Sequence, residues 1–351
     1  SQNTAPAGSS RPLIHSVAKG ELDAFCRDIH QPAYRADQIW RWLYVQNVPA
    51  WTQMKNIPAE LRTRLDEHFS LDSAAELGTG GESSGTRKIL VGLRDGERVE
   101  EVLIPADDRR TVCVSSQAGC RFHCAFCASG QAGFRRHLEA GEMVGQVLLA
   151  WRGFRDKPTH VVLMGVGEPM DNYDAVLKAV RIINDQDGLC IGARRITLST
   201  AGVIPGIARL AEEGLQVELS VSLHAPSDAL RSRLMPINRQ YPLADLLRAC
   251  QDYTAKTNRI ITFEYTLVEG VNDQPHHARE LARLLAPLAC RVNFIPLSPV
   301  AEYDGAPSPE SVAERFIQKL DQAGINATLR ASRGASVQAA CGQLRSAHGK
   351  E

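Results

Sequence analysis

The sequence predicts an α/β protein: a partial (β/α)6-type barrel carrying a small N-terminal helical domain and a β-hairpin extension. From Thr111 onward, short apolar runs alternate six times with amphipathic helical stretches, the pattern of βαβ crossovers in a parallel sheet. Upstream, 34–69 carries helical rather than alternating spacing. A short alternating stretch folds around Asp95-Gly96 between them. The length of 351 residues suits two domains, or one large barrel with an appendage.

In chain order, 1–12 is polar and small, has no basic-then-apolar signal pattern, and reads as a disordered leader. It does not begin with Met, which reads as a processed start. Residues 13–75 form the expected helical domain. Ile39, Trp40, Trp42 and Leu43 mark one helical face, and Met54, Ile57, Leu61 and Leu65 another; Pro49 and Pro58 break the run. In 76–108, Gly78 to Ser84 reads as a turn-rich linker, and 88–93 with 98–104 as a hairpin whose Asp95-Gly96 signals a type I′ turn. The barrel spans 109–345, and 346–351 is a tail. Its strands are expected at 112–116, 160–164, 195–200, 217–223, 260–268, 291–297 and 327–330; its helices at 139–154, 173–185, 204–213, 243–257, 276–285 and 311–323. In such barrels chemistry sits where the strands end. The polar and Gly-rich segments 165–168, 199–202, 222–224 and 296–299 fall there.

Composition narrows the function. Apolar residues make 44% and charged residues 23% of the chain, near globular averages, which excludes fibrous or disordered classes. No stretch approaches the roughly 20 apolar residues that span a bilayer, so no membrane partner and a cytoplasmic location are expected. Forty basic against forty acidic residues excludes a polybasic coat but leaves local basic islands. Such islands stand at Arg109-Arg110, Arg121, Arg135-Arg136, Arg152 with Arg155, Arg194-Arg195, Arg231 with Arg233 and Arg239, and Arg330 with Arg333. Arg suits phosphate forks and base stacking, although about half of such charge is ordinary solvated surface. Nine cysteines, an odd number in a long chain without an export signal, favour metal or thiol chemistry over disulfide scaffolding.

Three of those cysteines, Cys120, Cys124 and Cys127, follow the first barrel strand with spacing C-x3-C-x2-C. Their sulfurs can converge on one face of a 4Fe-4S cubane and ligate three irons, leaving the fourth open for substrate. Ala125, Ala128 and Gly130 let the loop wrap tightly. Zinc is the alternative, but it wants four ligands and a second cysteine pair is missing; His123 and His137 are the residues that would have to complete it. At Gly165-Val166-Gly167-Glu168-Pro169, Gly lets the backbone approach a ligand and Glu168 can accept from an ammonium; a tight strand-exit turn is the plain alternative. It is not a dinucleotide fingerprint, because the third Gly is absent.

The C-x3-C-x2-C loop on a partial barrel resembles the radical S-adenosylmethionine (SAM) superfamily, and within it the RlmN/Cfr family of RNA adenine methyltransferases. The matching segments are Arg98-Val99-Glu100, the Cys113-to-Cys120 stretch, Gly167-Glu168-Pro169, Arg195-Ile196-Thr197-Leu198-Ser199-Thr200, Ser222-Leu223-His224-Ala225-Pro226, Met235-Pro236-Ile237-Asn238, Gly270-Val271-Asn272-Asp273 and Ala339-Ala340-Cys341-Gly342-Gln343-Leu344. The resemblance covers nearly all of the chain, including Tyr34-Arg35-Ala36 in the helical domain, and Pro169 favours the RlmN branch over the Cfr branch.

The resemblance implies a radical SAM barrel with a 4Fe-4S cluster and SAM, two SAM per turnover. It implies SAM contacts at Gly167, Glu168, Ser199, Ser222, Leu223, His224 and Ser298; the last stands where the family usually has Asn and lacks that amide. Cys341 would carry the methyl group, activated for radical addition to carbon 2 of adenine, a carbon too electron-poor for ordinary methyl transfer. Cys113 would resolve the protein–RNA adduct through a transient Cys113–Cys341 disulfide, and Glu100 would accept a proton. The implied substrates are an adenine in the peptidyl-transferase centre of 23S rRNA and one in the tRNA anticodon loop, handled by a monomer with an electron donor such as flavodoxin or ferredoxin. The competing readings are a Cfr-like carbon-8 methyltransferase, a paralogue with another RNA target, a small-molecule radical SAM enzyme and a non-catalytic metal-binding RNA module.

Overall fold

The structure, a computed structural model, describes residues 11–81, 85–330, 340 and 342–348. Three helices open the chain: α1 (Lys19–Asp28), α2 (Tyr34–Tyr44) and α3 (Ala59–His68). Helix α2 turns Ala36, Ile39, Trp40, Leu43 and Tyr44 inward, the i, i+3, i+4 stripe its sequence shows. That stripe does not close on itself. Ile14, Leu22 and Trp40 belong to the same apolar core as Met143 and Val147 of the barrel. Trp40 Nε1 donates to Asp185 Oδ1 at 2.9 Å and Asn47 Nδ2 to the Leu148 carbonyl at 3.0 Å. The helical region is thus docked on the barrel through a shared core.

An antiparallel meander follows: β1 (Ala75–Gly81), β2 (Arg87–Gly92), β3 (Glu97–Ala106) and β4 (Arg109–Cys113). Two expectations are corrected here. Residues 78–81, read as linker, belong to strand β1, whose every residue is exposed. An edge strand held by backbone bonds on one side shows no apolar alternation to detect. The hairpin turn is not type I′: Gly96 has φ 86°, but Asp95 is not in the left-handed region. Leu93 N donates to Glu97 O and Gly96 N to Leu93 O, a three-residue loop ending on a left-handed glycine.

The parallel part begins with β4. Its exit loop carries β5 (Gln117–Ala118), the short helix α4 (Ala128–Gln131) and β6 (Arg136–His137), then helix α5 (Ala140–Phe154). Strand and helix alternate thereafter: β7 (His160–Leu163), α6 (Tyr173–Asn184), β8 (Ile196–Thr200), α7 (Ile204–Glu212), β9 (Glu218–Ser222), then α8 (Asp228–Leu234) and α9 (Leu243–Thr257). The series closes with β10 (Ile261–Leu267), α10 (Pro275–Leu285), β11 (Cys290–Pro296), α11 (Glu310–Asp321) and β12 (Asn326–Leu329). The strand order is β1-β2-β3-β4-β7-β8-β9-β10-β11-β12. Among the described residues seven strands, β4 and β7 to β12, run parallel, so six crossovers build the expected partial barrel. All seven residues of β10 are buried, as a central parallel strand covered on both faces requires. The expected tail is corrected too: β13 (Ser346–His348) adds to β3 in antiparallel register. Three residues carry too little pattern to be read as a strand; the partner edge defines it. Among the described residues no helix is long and apolar enough to cross a membrane.

Candidate active site

One cavity opens at the carboxyl ends of the parallel strands. Into it face the thiols Cys120, Cys124 and Cys127, then Gly167 and Glu168 after β7, Ser199 on β8, Ser222 and His224 at the end of β9, and Ser298 after β11. The crossover topology alone brings residues almost 180 positions apart to one rim.

The cysteine loop is shaped by close backbone approach. Gly119 has φ 78°, and a Cβ there would lie 1.7 Å from the Gly133 carbonyl oxygen. Ala125 N donates to Leu234 O at 2.9 Å and Ala128 N to Gly342 O at 2.7 Å, fixing the loop to α8 on one side and to the C-terminal segment on the other. Gly119→Ala should therefore cost about 3 kcal/mol or more, from left-handed strain plus overpacking. It should also lower iron content after reconstitution, read by denaturant midpoint and iron assay; unchanged iron would show that the loop tolerates the shift.

Burial pushes the Cys120 thiol up to about 12, helped by Cys127; it also raises Cys124, with Cys127 and Cys120 adding and Arg231 opposing. A cationic centre between the thiols would take the place of their protons on binding. Among the described residues no three His, Cys, Asp or Glu side chains close around a single-ion point. Sulfurs on a cubane each bind a different iron and stand farther apart than ligands of one ion, so the three thiols fit the cluster better than zinc. His123 and His137 do not line the cavity; His137 Nδ1 instead meets Gln117 Nε2 at 3.0 Å.

Glu168 is 3% exposed. Oε1 accepts from Met170 N at 3.0 Å and Oε2 from Ala201 N at 2.6 Å, tying the β7 exit to the β8 exit. Burial raises its pKa to about 7 against those hydrogen bonds. The neighbouring glycines serve the chain's own packing. A Cβ on Gly165 would sit 2.7 Å from Ser115 Oγ, and one on Gly167, at φ 109°, 2.6 Å from Gln117 Cβ. His224 Nδ1 accepts from Thr266 N at 2.8 Å, and burial drops its pKa to about 3. The ring is neutral, with its proton on Nε2. The Leu223 side chain lies in the apolar core. Its N–H donates to Glu264 O, and its carbonyl accepts from Ala225 N and Arg231 Nε. It shapes the strand end from behind the cavity.

Cys113 ends β4 and is buried with Val102, Val166 and Leu344. Cys341 lies outside the described residues. Its neighbour Gly342 lines the cavity; Leu344 O accepts from Ser129 Oγ at 2.6 Å, and Arg345 N donates to Glu100 Oε2 at 2.8 Å. Glu100 also pairs with Lys88 at 2.9 Å. Glu101, on the opposite face of β3, is fully buried, with neither carboxyl oxygen hydrogen-bonded. Burial raises its pKa, Glu76 adds to that, and Arg152 opposes. A carboxyl whose folded pKa exceeds its unfolded value stabilises fully below the unfolded pKa and loses that contribution as pH rises through the folded one. Glu101→Gln should flatten the alkaline decline in melting temperature; a parallel pH profile would refute this.

Of the basic islands, Arg231 is corrected outright: it is 0% exposed. It donates to the carbonyls of Leu223, Ala201 and Ser222 and to Asn238 Oδ1. The clue in the sequence is its place between Leu230 and Leu234 on a short helix. Arg110 and Arg136 are held in ion pairs with Asp156 and with Asp95 and Glu142; Arg109, Arg194, Arg195, Arg233 and Arg239 are exposed. Arg333 lies outside the described residues.

Residues 114–284 match the model of the radical SAM superfamily, and 14–71 that of the ribosomal RNA large subunit methyltransferase N-terminal domain. A Halalkalibacterium halodurans protein named probable dual-specificity RNA methyltransferase RlmN is 43% identical over 98% of this chain and 96% of its own. The chain belongs to the RlmN family. The Geobacillus kaustophilus member is 44% identical over 97% of this chain and 94% of its own. A radical SAM methyltransferase from Sphaerobacter thermophilus superposes with a TM-score of 0.92 at 44% identity, covering 95% of this chain and 99% of that one. Superfamily membership implies a 4Fe-4S cluster and SAM. In this RlmN-family chain, Cys120, Cys124 and Cys127 line one cavity and are the thiols that would hold the cluster.

Proposed function

We propose that this chain methylates carbon 2 of an adenine in the peptidyl-transferase centre of 23S rRNA and of one in the tRNA anticodon loop. It would do so as a monomer fed electrons by a flavodoxin- or ferredoxin-type donor. The observation that carries the reading is the tethering of the segment beside Cys341 to the cysteine loop, through Ala128 N to Gly342 O and Ser129 Oγ to Leu344 O. When bound, the cluster and SAM supply the methyl group and one-electron hydrogen abstraction from a C–H bond.

The chain's own groups do the rest. Cys341, as thiolate, attacks the methyl carbon of one SAM; the bond from that carbon to the sulfonium breaks, S-adenosylhomocysteine leaves, and Cys341 becomes S-methylcysteine, the carbon donor. Once that carbon is joined to adenine, the adduct's unpaired electron would return to the bound cluster, which supplied it, and Glu100 would take the proton from carbon 2. Cys113 then attacks Cys341 Sγ; a sulfur–sulfur bond forms, the sulfur–carbon bond breaks, and its electron pair leaves with the methylated base, which picks up a proton. A dithiol reductant restores both cysteines. Gly167, Glu168, Ser199, Ser222, His224 and Ser298 would hold SAM, with Leu223 acting only through its main chain. An adenine reaching this cavity must be unstacked. The exposed Arg109, Arg194, Arg195, Arg233 and Arg239 and the N-terminal helices offer RNA-contacting surface.

The test is mass spectrometry of large-subunit rRNA and tRNA nucleosides from a deletion strain and its complemented parent. Loss of 2-methyladenosine from both RNAs supports the reading. Loss of 8-methyladenosine instead, or of neither, replaces it with a carbon-8 enzyme or a paralogue with another target.

A further inference from the structure

The cavity has a floor that none of the roles above uses. Glu264, on β10 three residues before the strand ends, lines it and is 4% exposed. Its Oε1 accepts from Ser220 Oγ at 3.3 Å and from Asn293 Nδ2 at 3.2 Å, and Thr328 Oγ1 donates to Asn293 Oδ1 at 3.0 Å. Oε2 is buried and has no hydrogen-bond partner. A buried carboxyl oxygen left bare costs free energy unless a ligand donor meets it. Burial raises the pKa of this group, and Arg330, which also lines the cavity, opposes the rise.

We propose that Glu264 is a SAM-binding residue whose Oε2 accepts a hydrogen bond from a ribose hydroxyl of the cofactor. The inference rests on SAM occupying this cavity, as the reading above requires. The methionyl end must reach the cysteine loop after β4, and β7 is the strand beside it. Strand β10 lies three strands beyond β7, which leaves the nucleoside end over Glu264. A nucleoside offers hydroxyl donors on its sugar and an amine on its base. Ile295, Pro296 and Leu297 form an apolar wall at the end of β11 that suits the flat base, while Glu264, held from behind by Ser220 and Asn293, gives the floor a polar group that suits the sugar. A carboxylate taking a ribose hydroxyl is an established solution for nucleotides on parallel sheets.

The substitution Glu264→Gln keeps size. Its single oxygen would stay with the two donors Ser220 and Asn293, turning an NH2 toward the cavity and removing the charged acceptor. Glu264→Ala removes the group altogether. The measurement is equilibrium dialysis of SAM, its 2′-deoxyribosyl and 3′-deoxyribosyl analogues, and its 6-deamino analogue, on cluster-reconstituted protein. Wild type should bind one of the two deoxy analogues about tenfold more weakly than SAM. Glu264→Gln should bind SAM about five- to tenfold more weakly and show most of that deoxy penalty gone; Glu264→Ala should show none. A full penalty in both variants overturns the proposal, as does a wild type indifferent to both hydroxyls. So does a penalty on the 6-deamino analogue that alone vanishes in the variants, which would assign Glu264 to the base. Where one variant fails to fold, the other carries the comparison, and a wild type indifferent to both hydroxyls overturns the proposal without either. Binding is read without RNA, so a protein that discriminates the ribose but methylates no adenine refutes the function proposed above and leaves this assignment standing.

Discussion

Cys113→Ala should convert the enzyme into a covalent trap, and Cys341→Ala should leave nothing to trap. The first variant should take up the methyl group, join RNA, and stop there. Denaturing gels would show a protein–RNA species that survives heat and detergent and disappears with ribonuclease. The second variant should form no such species and no methylated adenine, a loss of at least a thousandfold in product, as removal of a covalent nucleophile usually produces. Clean turnover by Cys113→Ala would remove the resolving role. The burial of Cys113 against Leu344 bears on this. A resolving thiol must be shielded from solvent oxidants yet stay beside the segment that carries its partner.

Arg231→Met should destabilise the folded chain by about 3–5 kcal/mol and strip most of the iron from the reconstituted protein. Its guanidinium is buried and spends its donors on Ala201 O, Ser222 O, Leu223 O and Asn238 Oδ1. Each buried acceptor left unpaired costs about 1–3 kcal/mol. The damage reaches the cysteine loop because Leu234, on the same helix, accepts from Ala125 N. Arg231→Lys separates charge from geometry: one ammonium cannot serve four acceptors spread over two strand ends and a turn, so it should recover only part of the stability. Denaturant midpoints and iron-to-protein ratios measure both effects. A loss below about 1 kcal/mol with full iron would show that the network is dispensable.

Where the sequence spoke clearly, the reason is periodicity or spacing. The six βα units emerge because each strand is a short apolar run and each helix an amphipathic one, and the cysteine triplet because its spacing is local. Strand β1 and strand β13 were illegible because both are edge elements whose pairing is a backbone matter. The Asp95-Gly96 turn misled because the dipeptide fits two hairpin loops, and the strand register selects between them. Arg231 was read as surface because a charged residue normally is; only the packing of α8 against the ends of β8 and β9 shows otherwise. Glu264 went unnoticed inside a run of buried residues, where one carboxylate between Phe263 and Tyr265 gives no hint that it faces the cavity.

The sequence by itself determined the fold class and the family, since both are written in local pattern or in the order of motifs along the chain. The tertiary structure decided which residues share a cavity, which charges are buried and which glycines are needed for close backbone approach. It placed Leu223 behind the site and His224 within it, one residue apart. Those facts depend on side-chain direction and on contacts between segments far apart in the chain, and a linear pattern does not encode them.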